Sequence, residues 1–302
     1  MNGRHGSGIV LASYGRGVLV QAGETALSCT LKGRKQRVVC GDRVSWLAGP
    51  SGAAVESVEP RRNLFERIDA RGRAEPVAAN IHRLAIVVCS EPAPDWFLVD
   101  RYWAAARLKD IEALVVANKS DLGTGELEAE LGTYRALGLG CPQVCAQSGA
   151  GVGALRAALE GGATLFVGQS GVGKSSLVNA LVPDAAAQTA ELTRDVEGRH
   201  TTTTARRYRL HAGAEHGGGE SAVIDAPGVR DFAPPASLAR AAERGFTEVH
   251  HLAADCRFSD CRHLEEPGCA VRSAVLSGQV SARRYESYRR LQRLYQKLSQ
   301  EP

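Results

Sequence analysis

Gly168-Gln169-Ser170-Gly171-Val172-Gly173-Lys174-Ser175, with Ser176 behind it, is a GxxxxGK[ST] phosphate-binding loop. Its glycines let the backbone wrap phosphate oxygens, Lys174 can reach the β- and γ-phosphates, and the Ser175 hydroxyl can bind Mg2+. Asn118-Lys119-Ser120-Asp121 is an NKxD, a pattern suited to guanine. The Asp121 carboxylate can accept from N1–H and the 2-amino group together, whereas adenine offers no such donor pair and would leave a buried acceptor unpaired. Asn118 is expected to fix the base edge and the loop, and the Lys119 stem to pack along the base. The usual order places the phosphate loop before the base-reading motif. Here the order is inverted, so the nucleotide-binding elements are circularly permuted.

Three further segments fit a GTP site. Cys145-Ala146-Gln147 falls where an SAK-like loop would present a backbone amide to guanine O6. Asp225-Ala226-Pro227-Gly228 is a DxxG, in which Asp225 can hold Mg2+ through water and the Gly228 amide can meet the γ-phosphate. Between phosphate loop and DxxG lies Gly198-Arg199-His200-Thr201-Thr202-Thr203-Thr204, a polar run suited to a switch loop, with Thr202 the candidate for the metal. The water-orienting glutamine that often follows DxxG is absent, since Val229 stands there, which leaves His200 as the internal candidate for assisting hydrolysis.

A separate constellation is Cys256-x4-Cys261-x-His263-x5-Cys269. Three thiolates and an imidazole in so short a loop suffice for a closed tetrahedral structural zinc site, with His250 and His251 as alternative ligands. The other five of the eight cysteines, Cys29, Cys40, Cys89, Cys141 and Cys145, are scattered and read as buried thiols.

The elements that must position these groups are legible in the patterning. Gly8–Ala12, Gly17–Gln21, Ala26–Leu31, Arg37–Cys40, Arg43–Ala48 and Ala53–Val58 read as short strands of a small β-barrel of the OB type. Interleaved basic residues (Arg16, Lys32, Arg34, Lys35, Arg37, Arg43) leave both an RNA-contacting and a merely solvated face open. Arg61, Arg62, Arg67, Arg71 and Arg73 mark a basic linker. Strand Leu84–Cys89, helix Phe97–Arg107 and strand Ala113–Ala117 then give βαβ patterning and imply a mostly parallel sheet. Gln143–Cys145 and Val152–Leu159 add a strand and a helix, Ala163–Val167 leads into the phosphate loop, and Tyr208–Leu210 pairs with Ala222–Ile224 around a mobile insert, Ala212–Glu220. At the C-terminus, Tyr285, Tyr288, Leu291, Leu294, Tyr295 and Leu298 form an apolar helix face. Arg283, Arg284, Arg289, Arg290, Arg293 and Lys297 occupy its other positions, as a solvated side or an RNA contact.

With 302 residues the chain is expected to form two or three domains, and its net charge of +4 is compatible with nucleic acid without requiring it. No apolar run approaches the ~20 residues of a membrane span, and Met1–Ser7 lacks a signal-peptide stretch, so a cytoplasmic protein with no membrane association is expected.

Taken together, these residues resemble the ribosome small-subunit-dependent GTPase A (RsgA) family of bacteria. The likeness rests on Gly41-Asp42-Arg43-Val44 in the barrel, the NKSD-first order, the Gly-Arg-His-Thr-Thr-Thr switch, and the Cys/His loop ending in Pro267-Gly268-Cys269-Ala270-Val271. It departs at Ala226, where Thr is usual, at Cys145 and Gln147, which replace Ser and Lys, and at His82, where Asp often follows Asn80-Ile81. The resemblance implies an OB-fold barrel (1–66), a circularly permuted α/β P-loop GTPase domain (67–235) and a small, mainly helical zinc-binding domain (236–302). It further implies a monomer that binds GTP and GDP with Mg2+, carries one structural Zn2+, engages the 30S subunit and its 16S rRNA late in maturation, and is stimulated by that subunit. His200 matches the histidine that the family uses in hydrolysis.

Overall fold

A computed structural model of the chain describes residues 4–15, 17–31, 37–50, 52–68, 73–185, 205–210, 220–226 and 236–300, without the side chains of 236–240 and 298–300. The switch run with His200 and Thr202, residues 212–219 of the expected insert Ala212–Glu220, and Gly228 and Val229 lie outside the described residues.

Strands β1 (Arg4–Tyr14), β2 (Gly17–Ala22), β3 (Thr25–Leu31), β4 (Arg43–Gly49) and β5 (Gly52–Val58) close a barrel in the order β1-β2-β3-β5-β4-β1. Closure comes from the parallel β3–β5 pairing (Cys29↔Ala53) and the antiparallel β1–β4 pairing (Gly8↔Val44). Val10, Val18, Val20, Val44 and Val55 fill the interior, so β-branched residues supply both strand propensity and core. This is the OB-type barrel expected from the sequence.

Arg37–Cys40, however, is not a strand. The buried Asp42 carboxylate takes the Val39 N–H at 2.8 Å, and the Asp42 N–H donates to the Val39 carbonyl, so a side chain satisfies groups that a ladder would have used. Only Cys40 pairs, in an isolated bridge to Ala78. Gly41 (φ +88°) makes the turn possible, because a Cβ there would sit 2.2 Å from the Ala79 carbonyl oxygen. The stretch read as a basic linker also has structure. Arg61 forms a two-toothed ion pair with Asp42 (2.7 and 2.8 Å), and Arg67 lies in β6 (Leu64–Ile68), paired antiparallel with β7 (Ala74–Ala79) and ion-paired to Glu75 at 2.6 Å.

The strands beyond the barrel run β11 (Arg206–Leu210), β12 (Ser221–Asp225), β10 (Ala163–Val167), β8 (Arg83–Val88), β9 (Glu112–Ala117). All neighbours are parallel except the β11–β12 hairpin, where Tyr208 faces Val223 as expected. Alternating side chains serve opposite layers. Ile86 and Val88 pack with α1 (Trp96–Leu108) and α2 (Gly125–Ala136), while Ala85 and Val87 pack with α3 (Val152–Ala158) and α4 (Lys174–Leu181). α2 has amphipathic patterning too weak to mark it in the sequence; Leu127, Leu131 and Tyr134 nevertheless anchor it. Gln143 contributes an isolated bridge to Ala117 rather than a strand. The barrel joins this sheet through Ala12↔Arg206.

After a 3₁₀ segment (Ala236–Gly245) come α5 (Thr247–Ala253), α6 (Ala270–Leu276) and α7 (Ala282–Gln300). Their core is built from Phe246, Val249, Val271, Tyr288, Leu291 and Tyr295, with Ala104 of α1 packed in. Tyr288, Leu291 and Tyr295 are the expected apolar face, but Arg284 is fully buried on the same stripe. It sits one helical repeat before Tyr288, so the periodicity that buries the tyrosines buries the arginine too. Among the described residues, no helix is long and apolar enough to cross a membrane.

Candidate functional site

The phosphate loop runs from the buried end of β10 to the first turn of α4, which starts at Lys174. A helix N-terminus therefore faces the space that the loop encloses, and its free N–H groups favour an anion. Asn118, at the end of β9 and 2 % exposed, joins two loops: its Nδ2 donates to the Val172 carbonyl (2.9 Å), and its Oδ1 accepts from the Ala146 N–H (3.2 Å). One side chain thus ties the phosphate loop to the Cys145-Ala146-Gln147 loop. This contact also explains Gly173 (φ +89°), where a Cβ would lie 2.3 Å from Asn118 Nδ2.

The rest of the NKSD is arranged around that tie. Lys119 adopts a left-handed backbone (φ 57°), and its Nζ donates to the Glu91 carbonyl at 2.8 Å. The Ser120 N–H is held by the Val144 carbonyl, and Asp121 follows on the exposed side with its carboxylate accessible. Cys145 is buried, its Sγ accepting from the Ser148 N–H at 3.4 Å, so the replacement of Ser by Cys keeps a turn contact inside the loop. The loop's first residues are braced from α1, because Gln169 Oε1 accepts from the Asp95 N–H at 2.8 Å, at the residue that caps this helix. Nothing in the sequence around Gln169 signals this brace.

Charge is concentrated where a metal and phosphates would bind. Lys174 Nζ donates to the carbonyls of Gly168 (2.9 Å) and Gln169 (2.7 Å), while Ser175 Oγ donates to Asp225 Oδ2 at 3.1 Å. Burial pushes the Lys174 ammonium below its usual range, against the pull of Asp225. Burial likewise pushes the Asp225 carboxyl up, against the Ser175 hydrogen bond and the Lys174 charge. Burial thus disfavours the charged form of both groups, which is the condition for strong stabilisation by a ligand of complementary charge. Ser170, Gly171 and Ser176 complete the loop and the first turn of α4.

The second constellation is assembled as well. One ligand atom from each of Cys256, Cys261, His263 and Cys269 falls within 4.8 Å of the others, so the four can hold a metal ion. His263 Nδ1 is 3.4 Å from Cys256 Sγ and 3.5 Å from Cys269 Sγ, and the two sulfurs are 3.9 Å apart. Burial, then crowding by Cys269 and Cys256, pushes the Cys261 thiol up to about 12. The loop is locked by its own backbone. Glu266, held down to about 2 despite the cost of burial, accepts from the N–H groups of Arg262, Leu264 and Glu265. Tyr285 and Tyr288 donate to the carbonyls of His263 and Arg262. The other imidazole nitrogen of His263 points to Glu243 at 3.5 Å, a carboxylate that can fix the ring's orientation. His250 also faces Glu243, at 3.2 Å, and neither it nor His251 belongs to the cluster.

Comparison with known proteins gives a consistent result. The family model described as RsgA GTPase matches residues 58–234. A protein of Azotobacter vinelandii described as "Small ribosomal subunit biogenesis GTPase RsgA" is 42% identical over 296 residues, covering 94% of this chain and 84% of its own length. One of Chromohalobacter salexigens with the same description is 41% identical over 294 residues, with the same coverage. Among solved structures, YjeQ from Thermotoga maritima superimposes with a TM-score of 0.72 at 26% identity, covering 99% of this chain and 100% of that one. YloQ, described as a circularly permuted GTPase, gives a TM-score of 0.69 at 22% identity, covering 99% of this chain and 97% of its own, and is a likeness of fold.

Proposed function

Since this chain belongs to the RsgA GTPase family, we propose that it is a GTPase of small-ribosomal-subunit biogenesis, which binds the 30S subunit and hydrolyses GTP to GDP and phosphate under that subunit's stimulation. The observation that carries the reading is Asn118, which joins a guanine-reading loop to a phosphate loop that follows it in the chain. Asp121 selects guanine, a backbone amide of the Cys145-Ala146-Gln147 loop meets the base, Gly168 to Ser176 with Lys174 hold the phosphates, and Ser175 with Asp225 receives Mg2+. When bound, the ion neutralises charge developing on the phosphates. Thr202 and Gly228 close on the γ-phosphate, and His200 assists attack by water, since Val229 cannot.

The Cys256, Cys261, His263, Cys269 cluster holds one structural Zn2+. Bonds of ~2.3 Å to sulfur and ~2.0 Å to nitrogen give tetrahedral edges of roughly 3.8 and 3.5 Å; the three spacings among Cys256, His263 and Cys269 support zinc, with Cys261 within 4.8 Å of them. The division into a barrel (1–66), a GTPase domain (67–235) and a zinc domain (236–302) places basic segments on both sides of the switches, and these grip 16S rRNA. The protein works as a cytoplasmic monomer.

The test is single-turnover GTP hydrolysis alone, with 30S subunits and with 50S subunits. The free chain is expected at or below ~0.01 per second, with strong acceleration by 30S only. Binding of the GTP form should weaken as salt rises, because phosphate contacts release counterions. Equal rates under all three conditions would remove the ribosome from the reading.

A further inference from the structure

Arg284 of α7 heads the largest fully buried side chains, and its hydrogen bonds and ring contacts go to neither the metal cluster nor the described nucleotide loops. Its Nε and Nη2 donate to Glu248 at 2.5 and 3.1 Å, its Nη1 donates to Asp100 Oδ1 at 2.5 Å, and its guanidinium lies 4.3 Å above the Trp103 ring. Arg283 donates to the second Asp100 oxygen at 2.5 Å. Asp100, 1 % exposed, belongs to α1 and so to the nucleotide-binding layer. A buried ion cluster bears a desolvation cost that apolar residues of the same volume avoid, so it is poorly explained as adhesive. It is better explained as a means of fixing one register of α7 against α1.

The same helix holds the start of the phosphate loop. The Asp95 N–H donates to Gln169, and the Tyr102 hydroxyl is hydrogen-bonded to the Gly168 backbone. The 3₁₀ segment downstream of the DxxG also comes down on α1, so closely that a Cβ on Gly245 would lie 2.7 Å from Ala104 Cβ. One rigid element is therefore gripped by the C-terminal unit at Asp100 and braces Gly168 and Gln169 through residues on either side of it.

We propose that Arg284 is a positioning residue for the nucleotide site: by fixing Asp100 it sets α1, and through α1 the start of the phosphate loop, so that seating of the C-terminal unit is expressed as guanine-nucleotide affinity. This rests on the reading of Gly168 to Ser176 as the GTP phosphate loop. Coupling of binding equilibria is reciprocal, so nucleotide in turn favours the seated C-terminal unit.

The experiment uses the full chain with its metal. Affinities for GDP and for a non-hydrolysable GTP analogue are measured by calorimetry for wild type, Arg284→Met, Asp100→Asn, the double variant, and Val271→Ala. The last removes apolar packing in the C-terminal core without touching the ion cluster. Arg284→Met and Asp100→Asn should each weaken both ligands about tenfold, and the double variant should fall well short of the hundredfold product of the two, because both remove the Arg284–Asp100 contact although each also has partners of its own. Val271→Ala should lower the melting temperature and leave affinity unchanged. Wild-type affinity in a folded, metal-loaded Arg284→Met overturns the proposal, as does an equal loss in Val271→Ala, which would mean general destabilisation. If Arg284→Met does not fold, amide exchange in wild type decides: GDP should slow exchange over residues 287–291, and unchanged exchange overturns the proposal. Failure of wild type to bind guanine nucleotides would instead overturn the reading of the phosphate loop.

Discussion

Replacing Gly173 by alanine should disable the nucleotide site through Asn118 rather than through the phosphates. A residue with a Cβ at φ +89° and ψ 27° carries a backbone cost of ~1 kcal/mol or more. Its Cβ would also lie 2.3 Å from Asn118 Nδ2, with the amide packed at 2 % exposure, so the amide must leave. Its departure breaks the bond to the Val172 carbonyl and orphans the Ala146 N–H, together ~2 kcal/mol at the modest end of the range for buried polar groups. The loop order that existed before ligand arrived must then come out of binding energy. At ~1.4 kcal/mol per tenfold, GDP affinity should fall about a hundredfold in Gly173→Ala and roughly thirtyfold in Asn118→Ala. The double variant should bind no worse than Gly173→Ala, since the clash has lost its target. Calorimetric titration of the four proteins with GDP measures this, and equal factors for Asn118→Ala in both backgrounds would refute the reasoning.

Asp121→Asn should weaken GTP binding by an order of magnitude or more and favour xanthosine nucleotides, whose C2 carbonyl needs a donor; competition titration against GTP, ATP and XTP reads this directly. Asp225 has its carboxyl raised by burial, so its contribution to stability is full below the unfolded value near ~4 and is lost as pH rises through the folded one. Ionising the buried Asp225 therefore costs stability, and Asp225→Asn should raise the nucleotide-free melting temperature at pH 7 while lowering Mg2+-dependent GTP affinity; an unchanged or lower melting temperature would count against the burial argument. Removing metal with a chelator should release one ion per chain and melt the C-terminal unit before the rest, as followed by metal analysis and by exchange in α7; Cys261→Ser should reduce metal content in the same way.

The sequence by itself determined the parts whose physics is local. A glycine-rich turn between an apolar strand and a helix has few uses, and four soft ligands spaced over fourteen residues must converge if they are to be buried at all. Strand alternation gave the barrel and the parallel sheet for the same reason: a period of two is visible without knowing the partner. Where a side chain overrides the ladder, the pattern misleads, as at Arg37–Cys40, whose backbone is claimed by Asp42. Weak amphipathicity hid α2 altogether. Only the tertiary structure decided which long-range groups meet. Asn118 to Val172, Gln169 to Asp95 and Arg284 to Asp100 are contacts between residues far apart in the chain, and no periodicity records them. Arg284 shows the division most sharply: its place on the stripe of Tyr288, Leu291 and Tyr295 can be counted from the sequence, but its burial became tolerable only because folding brings Asp100 and Glu248 to meet its charge.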